Sequence, residues 1–210
     1  MKLVCISDTH RMYKRINVPK GDVFIHAGDI EIYNCLSELR DFNKWLDSLP
    51  HKHKIVIAGN HDRLLDIHSK KCIRGIFTNA IYLENSGCTI DGIKFWGSPI
   101  TPAFLNWFFM AARGKEIQNK YWSKIPRNTD VLITHGPPYG IMDEVIGPEK
   151  HAGCSDLLWT IEQLKPKVHI FGHIHSRHGV VKKKDTTFIN ASVVNEEYRI
   201  TYKPIEIKIK

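Results

Sequence analysis

No apolar run in the sequence approaches the roughly 18 to 20 residues that a membrane span needs. The first residues hold no long apolar segment followed by a small-residue cleavage site, so no secretory leader is expected. Thiol motifs are missing as well. Of the five cysteines (Cys5, Cys35, Cys72, Cys88, Cys154), the nearest two stand 16 residues apart. That spacing excludes a Cys-x-x-Cys zinc or redox motif and argues against a disulfide framework. A reducing cytoplasm is the expected location. Internal repeats, low-complexity stretches and linkers rich in Gly, Ser or Pro are also absent, so residues 1–210 read as one domain. The net charge of +8 does not come from one block. Lys70-Lys71, Lys182 to Lys184 and the C-terminal lysines lie apart, which argues against a dedicated nucleic-acid groove. A hydrophobic share of 42% is too high for a disordered chain. What the sequence has in excess is histidine, 12 residues in 210.

Five short apolar runs share one form, a buried strand followed by a polar loop. Leu3 to Ile6 leads into Ser7-Asp8-Thr9-His10, and Val23 to Ile25 into His26-Ala27-Gly28-Asp29. Ile55 to Ala58 leads into Gly59-Asn60-His61-Asp62, Val131 to Thr134 into His135-Gly136, and Val168 to Phe171 into Gly172-His173-Ile174-His175. Further strands are predicted at 81–83, 89–90, 94–96, 179–181, 187–190, 198–202 and 205–209, with Lys182 to Lys184 as a hairpin turn. Leu36, Leu39, Phe42, Leu46 and Leu49 form one helical stripe that Pro50 ends. A second helix is expected to start from Ser155 as N-cap and run through Leu164, closed by Pro166. A third covers part of 107–122. Strands alternating with helices imply an α/β protein, and the strand-rich later half suggests a second sheet.

In open α/β sheets, sites form outside the carboxyl ends of the strands. The five polar loops would therefore meet at one edge. They bring Asp8, His10, Asp29, Asn60, His61, His135, His173 and His175 there. Asp8 and His10 are two apart and point to one side of an extended segment, as do His173 and His175. Imidazoles mixed with carboxylates suit zinc, iron, manganese or cobalt.

Asp8-x-His10, Gly28-Asp29, Gly59-Asn60-His61-Asp62, His135-Gly136 and Gly172-His173-x-His175 resemble, in order, the five motifs of the calcineurin-like metallophosphoesterases. His26-Ala27-Gly28-Asp29, Thr134 to Pro138, Gly153-Cys154 and Ile189 to Ser192 are similar to the small metallophosphodiesterases of the MPPED type. The resemblance implies two mixed β-sheets packed as a sandwich and flanked by helices. It implies two divalent transition-metal ions, manganese first, with iron, zinc, cobalt and nickel as alternatives. One ion would be held by Asp8, His10, Asp29 and His175, the other by Asp29, Asn60, His135 and His173. Asp29 would bridge them. The implied reaction is hydrolysis of a small phosphodiester, such as a 2′,3′-cyclic nucleotide, by in-line attack of a metal-bridging hydroxide. His61 would act as general acid on the leaving group. The substrate-binding candidates are Asn60, His61 and Arg113. Where many relatives carry an acidic residue three positions after the bridging Asp, this chain has Ile32. Glu31 and Asp62 are the carboxylates nearest in sequence that could orient His61 instead. A nuclease or phosphomonoesterase of the same superfamily is the alternative activity. A non-catalytic scaffold is the alternative class, and it is disfavoured because no ligand is lost.

Other residues are read beside these. His26 either orients a ligand or packs at its strand end. His169 lies within a strand, in the core or on its surface. His51, His53 and His68 are expected to be solvated. His151 and His178 lie near the motif loops and are read as candidates for substrate contact. Cys154 reads as a small buried residue, and Asn79 and Asn190 as turn residues. The run Phe104 to Phe109 is either a helix burying its aromatics or a wall for a nucleobase, with Arg113 on phosphate.

Overall fold

The computed structural model describes residues 1–146 and 150–210. In chain order the strands are β1 (Lys2–Ile6), β2 (Val23–Ala27), β3 (His53–Ile57), β4 (Ile81–Tyr82), β5 (Ser86–Ile90), β6 (Ile93–Ser98), β7 (Thr101–Pro102), β8 (Met110–Ala111), β9 (Val131–Thr134), β10 (Val168–Phe171), β11 (Gly179–Lys183), β12 (Thr186–Asn190) and β13 (Ile205–Lys208). The helices are α1 (Leu36–Ser48), α2 (Arg63–Ile67), α3 (Lys70–Ile76), α4 (Lys115–Lys120) and α5 (Ser155–Leu164).

Two mixed sheets hold the molecule together. The first has the order β13-β1-β2-β3-β4 and the second β11-β12-β10-β9-β6-β5. β1, β2, β3 and β4 run parallel, with β13 antiparallel on the β1 edge. β6, β9, β10 and β12 run parallel, flanked by antiparallel β5 and β11. The central strands are apolar throughout because both faces are covered, as parallel sheets require. Leu3, Cys5, Val23, Ile25, Ile55 and Ile57 meet Phe95, Val131, Ile133, Val168, Ile170 and Ile189 in one buried layer. The alternate residues Val4, Ile6, Phe24 and Val56 pack with helix residues Leu39, Phe42 and Leu46, and Leu132, Phe171 and Phe188 with Leu157 and Ile161. The expected sandwich with helices outside is the architecture found.

Several local expectations need correction. The 198–202 segment is not a strand. It belongs to a turn in which Asn195 Oδ1 accepts from the backbone N–H groups of Glu197 and Arg199, at 3.1 and 2.9 Å. Local Asn hydrogen bonds of this kind compete with a sheet ladder. The N-cap of α5 is Cys154 rather than Ser155, with Leu157 N donating to Cys154 Sγ at 3.4 Å. The 104–109 run is not helical. Its helix begins only at Lys115. The Lys182–Lys184 turn is shorter than read, because β11 continues to Lys183 and leaves Lys184 and Asp185 as the loop. His51 is 3% exposed, not solvated, since the turn from α1 into β3 lays its ring against Phe24 at 5.6 Å. His53 and His68 are half-buried.

Candidate active site

Each of the five parallel strands β1, β2, β3, β9 and β10 ends in a motif loop, and backbone hydrogen bonds tie the loops together. Asp8 N donates to Gly28 O at 2.9 Å, His10 N to Asp29 O at 3.1 Å, and Gly172 N to His135 O at 2.9 Å. The approach is close enough that glycine is required. A Cβ on Gly172 would collide with Asp8 Oδ2, and one on Gly59 with Asp29 Oδ1. Asp8, His10, Asp29 and His173 all hold positive φ, at 55°, 40°, 55° and 70°. Non-glycine residues rarely adopt this backbone, and it recurs where side chains are aimed for function.

Two adjoining clusters result. Asp8, His10 and His175 form one, and Asp29, His135 and His173 the other, with ligand-type atoms within 4.8 Å of one another in each. The Asp29 carboxylate faces both: Oδ1 lies 3.3 Å from His135 Nε2, and Oδ2 lies 3.9 Å from His10 Nε2. Asn60 joins the second cluster, its Oδ1 2.9 Å from His135 Nε2. His175 Nε2 lies 3.6 Å from Asp8 Oδ1. His61 touches both halves, with its backbone N donating to Asp29 Oδ1 at 2.9 Å and its Nε2 4.0 Å from Asp29 Oδ2.

The surrounding groups turn the imidazoles inward. His135 Nδ1 pairs with Ala27 O at 3.0 Å, His175 Nδ1 with Asn195 O at 3.2 Å, and His10 Nδ1 with Glu31 Oε2 at 3.3 Å. Pairing one ring nitrogen outward directs the other toward the cluster. The carboxylates are held ionised. Burial opposes the Asp8 anion, yet His175 brings its carboxyl to about 2. Burial likewise opposes the Asp29 anion, and His135 outweighs it and holds Asp29 well below the usual range. Burial pushes His173 down to about 3, which keeps the neutral imidazole that a metal ligand needs. Burial also lowers His61, with the Asp29 charge opposing.

The residues fit divalent cations. His10 Nε2 is buried and has no hydrogen-bond partner among the described residues, although it points into the first cluster. Such an orphan is costly in a core. A cation would satisfy it. The donor set of imidazole, carboxylate and amide oxygen, without thiolate, suits zinc, iron, manganese or cobalt.

Neither Glu31 nor Asp62 makes a hydrogen bond or ion pair with the His61 ring. Glu31 serves His10. Asp62 is fully buried and braces the loops, its carboxylate accepting from Glu31 N at 2.7 Å, Ile32 N at 3.0 Å, Gly59 N at 2.8 Å and Ile30 N at 3.3 Å. His61 is instead packed by Trp107, centroid to centroid 4.1 Å. Arg113 lies beside a cavity of about 410 Å³ that His173 and Phe104 also line, and its guanidinium donates to Gly153 O at 2.7 Å and Ala152 O at 3.0 Å. His26 is fully buried at the end of β2, where its Nε2 pairs with Thr9 Oγ1 at 2.9 Å, between Asp8 and His10, and its ring packs on Phe42 at 5.5 Å. Asn190 does more than turn the chain, since its amide donates to Ile174 O at 2.8 Å between His173 and His175. His169 is in the core, and Cys154 is buried. His178 stacks on Tyr202 at 4.6 Å and pairs with Ser192 O, while His151 pairs with Asp143 at 2.8 Å. Tyr198 reaches the site unforeseen, its ring 4.6 Å from His10 and 5.2 Å from His175.

Two carboxylate–imidazole clusters sharing one aspartate, on the loop edge of a double sheet, define the class of two-metal hydrolases. Comparison with known proteins narrows this. Residues 1–177 match the calcineurin-like phosphoesterases, and the chain belongs to that family. Human metallophosphoesterase domain-containing protein 1 is 39% identical, over 99% of this chain and 71% of that protein. UPF0046 protein K07C11.7 of Caenorhabditis elegans is 42% identical, over 98% of this chain and 74% of that protein. One solved structure, 16% identical, superposes with a TM-score of 0.63 over 90% of this chain and 89% of its own, and bears on the fold alone. The chain is therefore a metal-dependent phosphoesterase, a hydrolase. No helix among the described residues is long and apolar enough to cross a membrane.

Proposed function

We propose that the protein is a phosphodiesterase acting on a small diester, such as a 2′,3′-cyclic nucleotide, in the cytoplasm. Asp8, His10, Asp29 and His175 hold one divalent ion, and Asp29, Asn60, His135 and His173 hold the other. Manganese is the first candidate, ahead of iron, zinc, cobalt and nickel. The observation that carries this reading is the divided carboxylate of Asp29, one oxygen toward His135 and the other toward His10. When bound, two such ions neutralise the phosphate charge and make a bound water acidic enough to attack phosphorus.

The chain's own groups do the rest. His61, held beside Asp29 and against Trp107, gives its proton to the leaving oxygen. Asn60 and His61 face the phosphate. A diester has a second substituent, and the cavity beside His173 has room for it, with Phe104, Pro102, Pro137 and Ile174 as apolar walls and Arg113 at its border. That room favours a diester over a monoester. The five free thiols accord with a reducing compartment.

The test compares bis-p-nitrophenyl phosphate, p-nitrophenyl phosphate, 2′,3′-cyclic nucleotides and single-stranded oligonucleotides, using manganese-loaded protein. We expect kcat/KM to be higher for small diesters than for the monoester or the oligonucleotides. A preference for the monoester, or for long strands with a steep salt dependence, would overturn the diester assignment.

A further inference from the structure

Tyr198 has no part in the motifs, yet it closes the outer side of the first cluster. Its ring packs edge to face on His10 at 4.6 Å and 77°, and on His175 at 5.2 Å and 89°. The His61 ring lies 6.4 Å away. The turn that presents it is tightly wired. Asn195 N donates to Arg199 O at 3.0 Å, Tyr198 N to Asn195 O at 3.0 Å, and Asn195 Oδ1 accepts from Glu197 N and Arg199 N. Tyr198 itself has φ of 57°, a backbone that L side chains with a bulky Cβ substituent rarely take. It is also 47% exposed, so burial of the ring does not explain why that conformation is kept. An outlier of this kind, fixed by its surroundings, points to a positioning role.

The same turn acts on His175 twice. The Asn195 carbonyl accepts from His175 Nδ1 at 3.2 Å, which directs Nε2 toward Asp8. Tyr198, three residues on, packs against that ring and against His10. His10 is held comparably, with Glu31 on Nδ1 and Nε2 directed inward without a partner. Two ligand-type imidazoles are thus fixed by a hydrogen bond at one nitrogen and by one shared aromatic ring. Nothing equivalent from this turn reaches His135, which is fixed by Ala27 O instead.

We infer that Tyr198 is a positioning residue for the first cluster alone, holding His10 and His175 in their ligating orientation and so setting how tightly one of the two ions is retained. The inference rests on the two-ion reading above. The agent is the ring rather than the hydroxyl, because the contacts on both imidazoles are ring to ring. Groups behind metal ligands typically change affinity by about 10- to 100-fold when removed.

The experiment titrates metal-depleted full-length protein with Co²⁺, following heat and the visible absorption of the bound ion, for the wild type, Tyr198→Ala and Tyr198→Phe. Circular dichroism and the thermal midpoint report folding of each. We expect two ions per wild-type chain. Tyr198→Ala should weaken one step by about 10- to 100-fold, lower the absorption change of that step, and leave the other step as it was. Tyr198→Phe should restore both. Unchanged binding in Tyr198→Ala would overturn the inference while leaving the two-ion reading intact. Equal weakening of both steps, or a Tyr198→Phe variant as weak as the alanine, would also overturn it. A wild type that binds fewer than two ions would remove the two-ion reading and this inference with it.

Discussion

The Trp107 ring lies against the His61 imidazole, centroids 4.1 Å apart and planes tilted by 37°. Trp107 comes from the segment between β7 and β8, and the following residue ties that segment to the His61 loop, with Phe108 N donating to Asn60 O at 3.3 Å. An aromatic pair of this kind contributes roughly 0.5 to 1.5 kcal/mol to holding its partner's orientation. If orientation of the proton donor is what Trp107 supplies, Trp107→Ala should lower kcat by about 2- to 10-fold with metal content unchanged. His61→Ala should lower it by roughly 10²- to 10⁴-fold, again with both ions retained. Metal analysis beside steady-state kinetics checks both variants. Loss of ions from His61→Ala would place His61 among the ligands rather than at the leaving group, and loss from Trp107→Ala would show that the indole shapes the clusters themselves.

Asp29 offers one oxygen to each cluster, so its replacement should damage both. Asp29→Asn keeps the shape but removes the charge that His135, His10 and His61 surround. Inductively coupled plasma mass spectrometry after dialysis should find fewer than two ions per chain, and turnover should be lost. Retention of both ions with ordinary activity would mean that the clusters are bridged by something else.

Asp62 is a structural carboxylate, although it directly follows His61. It accepts from four backbone N–H groups and is fully buried. Asp62→Ala leaves those donors without an acceptor, which should cost more than about 3 kcal/mol in urea-induced unfolding. Asp62→Asn, which keeps one acceptor oxygen, should cost less. A near-neutral Asp62→Ala would show that water or a shifted loop replaces the carboxylate.

His169 gives the fold a pH dependence that can be separated from catalysis. It is fully buried in β10, and its Nε2 pairs with Thr134 Oγ1 at 2.8 Å. Burial pushes its pKa down to about 3. The unfolded chain, with an ordinary value near 6.5, binds a proton below that pH while the folded chain does not. Its contribution is therefore full above about pH 6.5 and is lost progressively as pH falls toward about 3. Between pH 7 and pH 5 the loss is about 2 kcal/mol. His169→Gln should flatten the stability profile by about that amount over the same interval, as measured by denaturant unfolding of metal-depleted protein. Parallel profiles for variant and wild type would show that His169 protonates in the folded state.

Much of this architecture is legible before any coordinates. The five motif loops announce themselves because parallel buried strands are short, apolar and end abruptly in residues that no core would hold. The ligand-type residues of the two clusters come from those loops. The sequence is less informative where a role depends on contacts across the chain. His51 resembles a solvated histidine after a helix, yet its ring is buried against Phe24, a residue of β2. Glu31 and Asp62 both looked able to orient His61, and their partners are set by loop-to-loop contacts more than 20 residues apart. Tyr198 sits in a stretch whose composition reads as a strand, while the Asn195 turn bends it back onto His10 and His175. Asn followed by two glutamates was the available signal for a turn.

Hydrolysis of bis-p-nitrophenyl phosphate by protein shown to carry two manganese ions per chain tests the two-ion diesterase reading most directly. Turnover should disappear when the ions are removed and return when manganese is restored. Protein fully loaded with two ions and yet without turnover on this diester would contradict that reading.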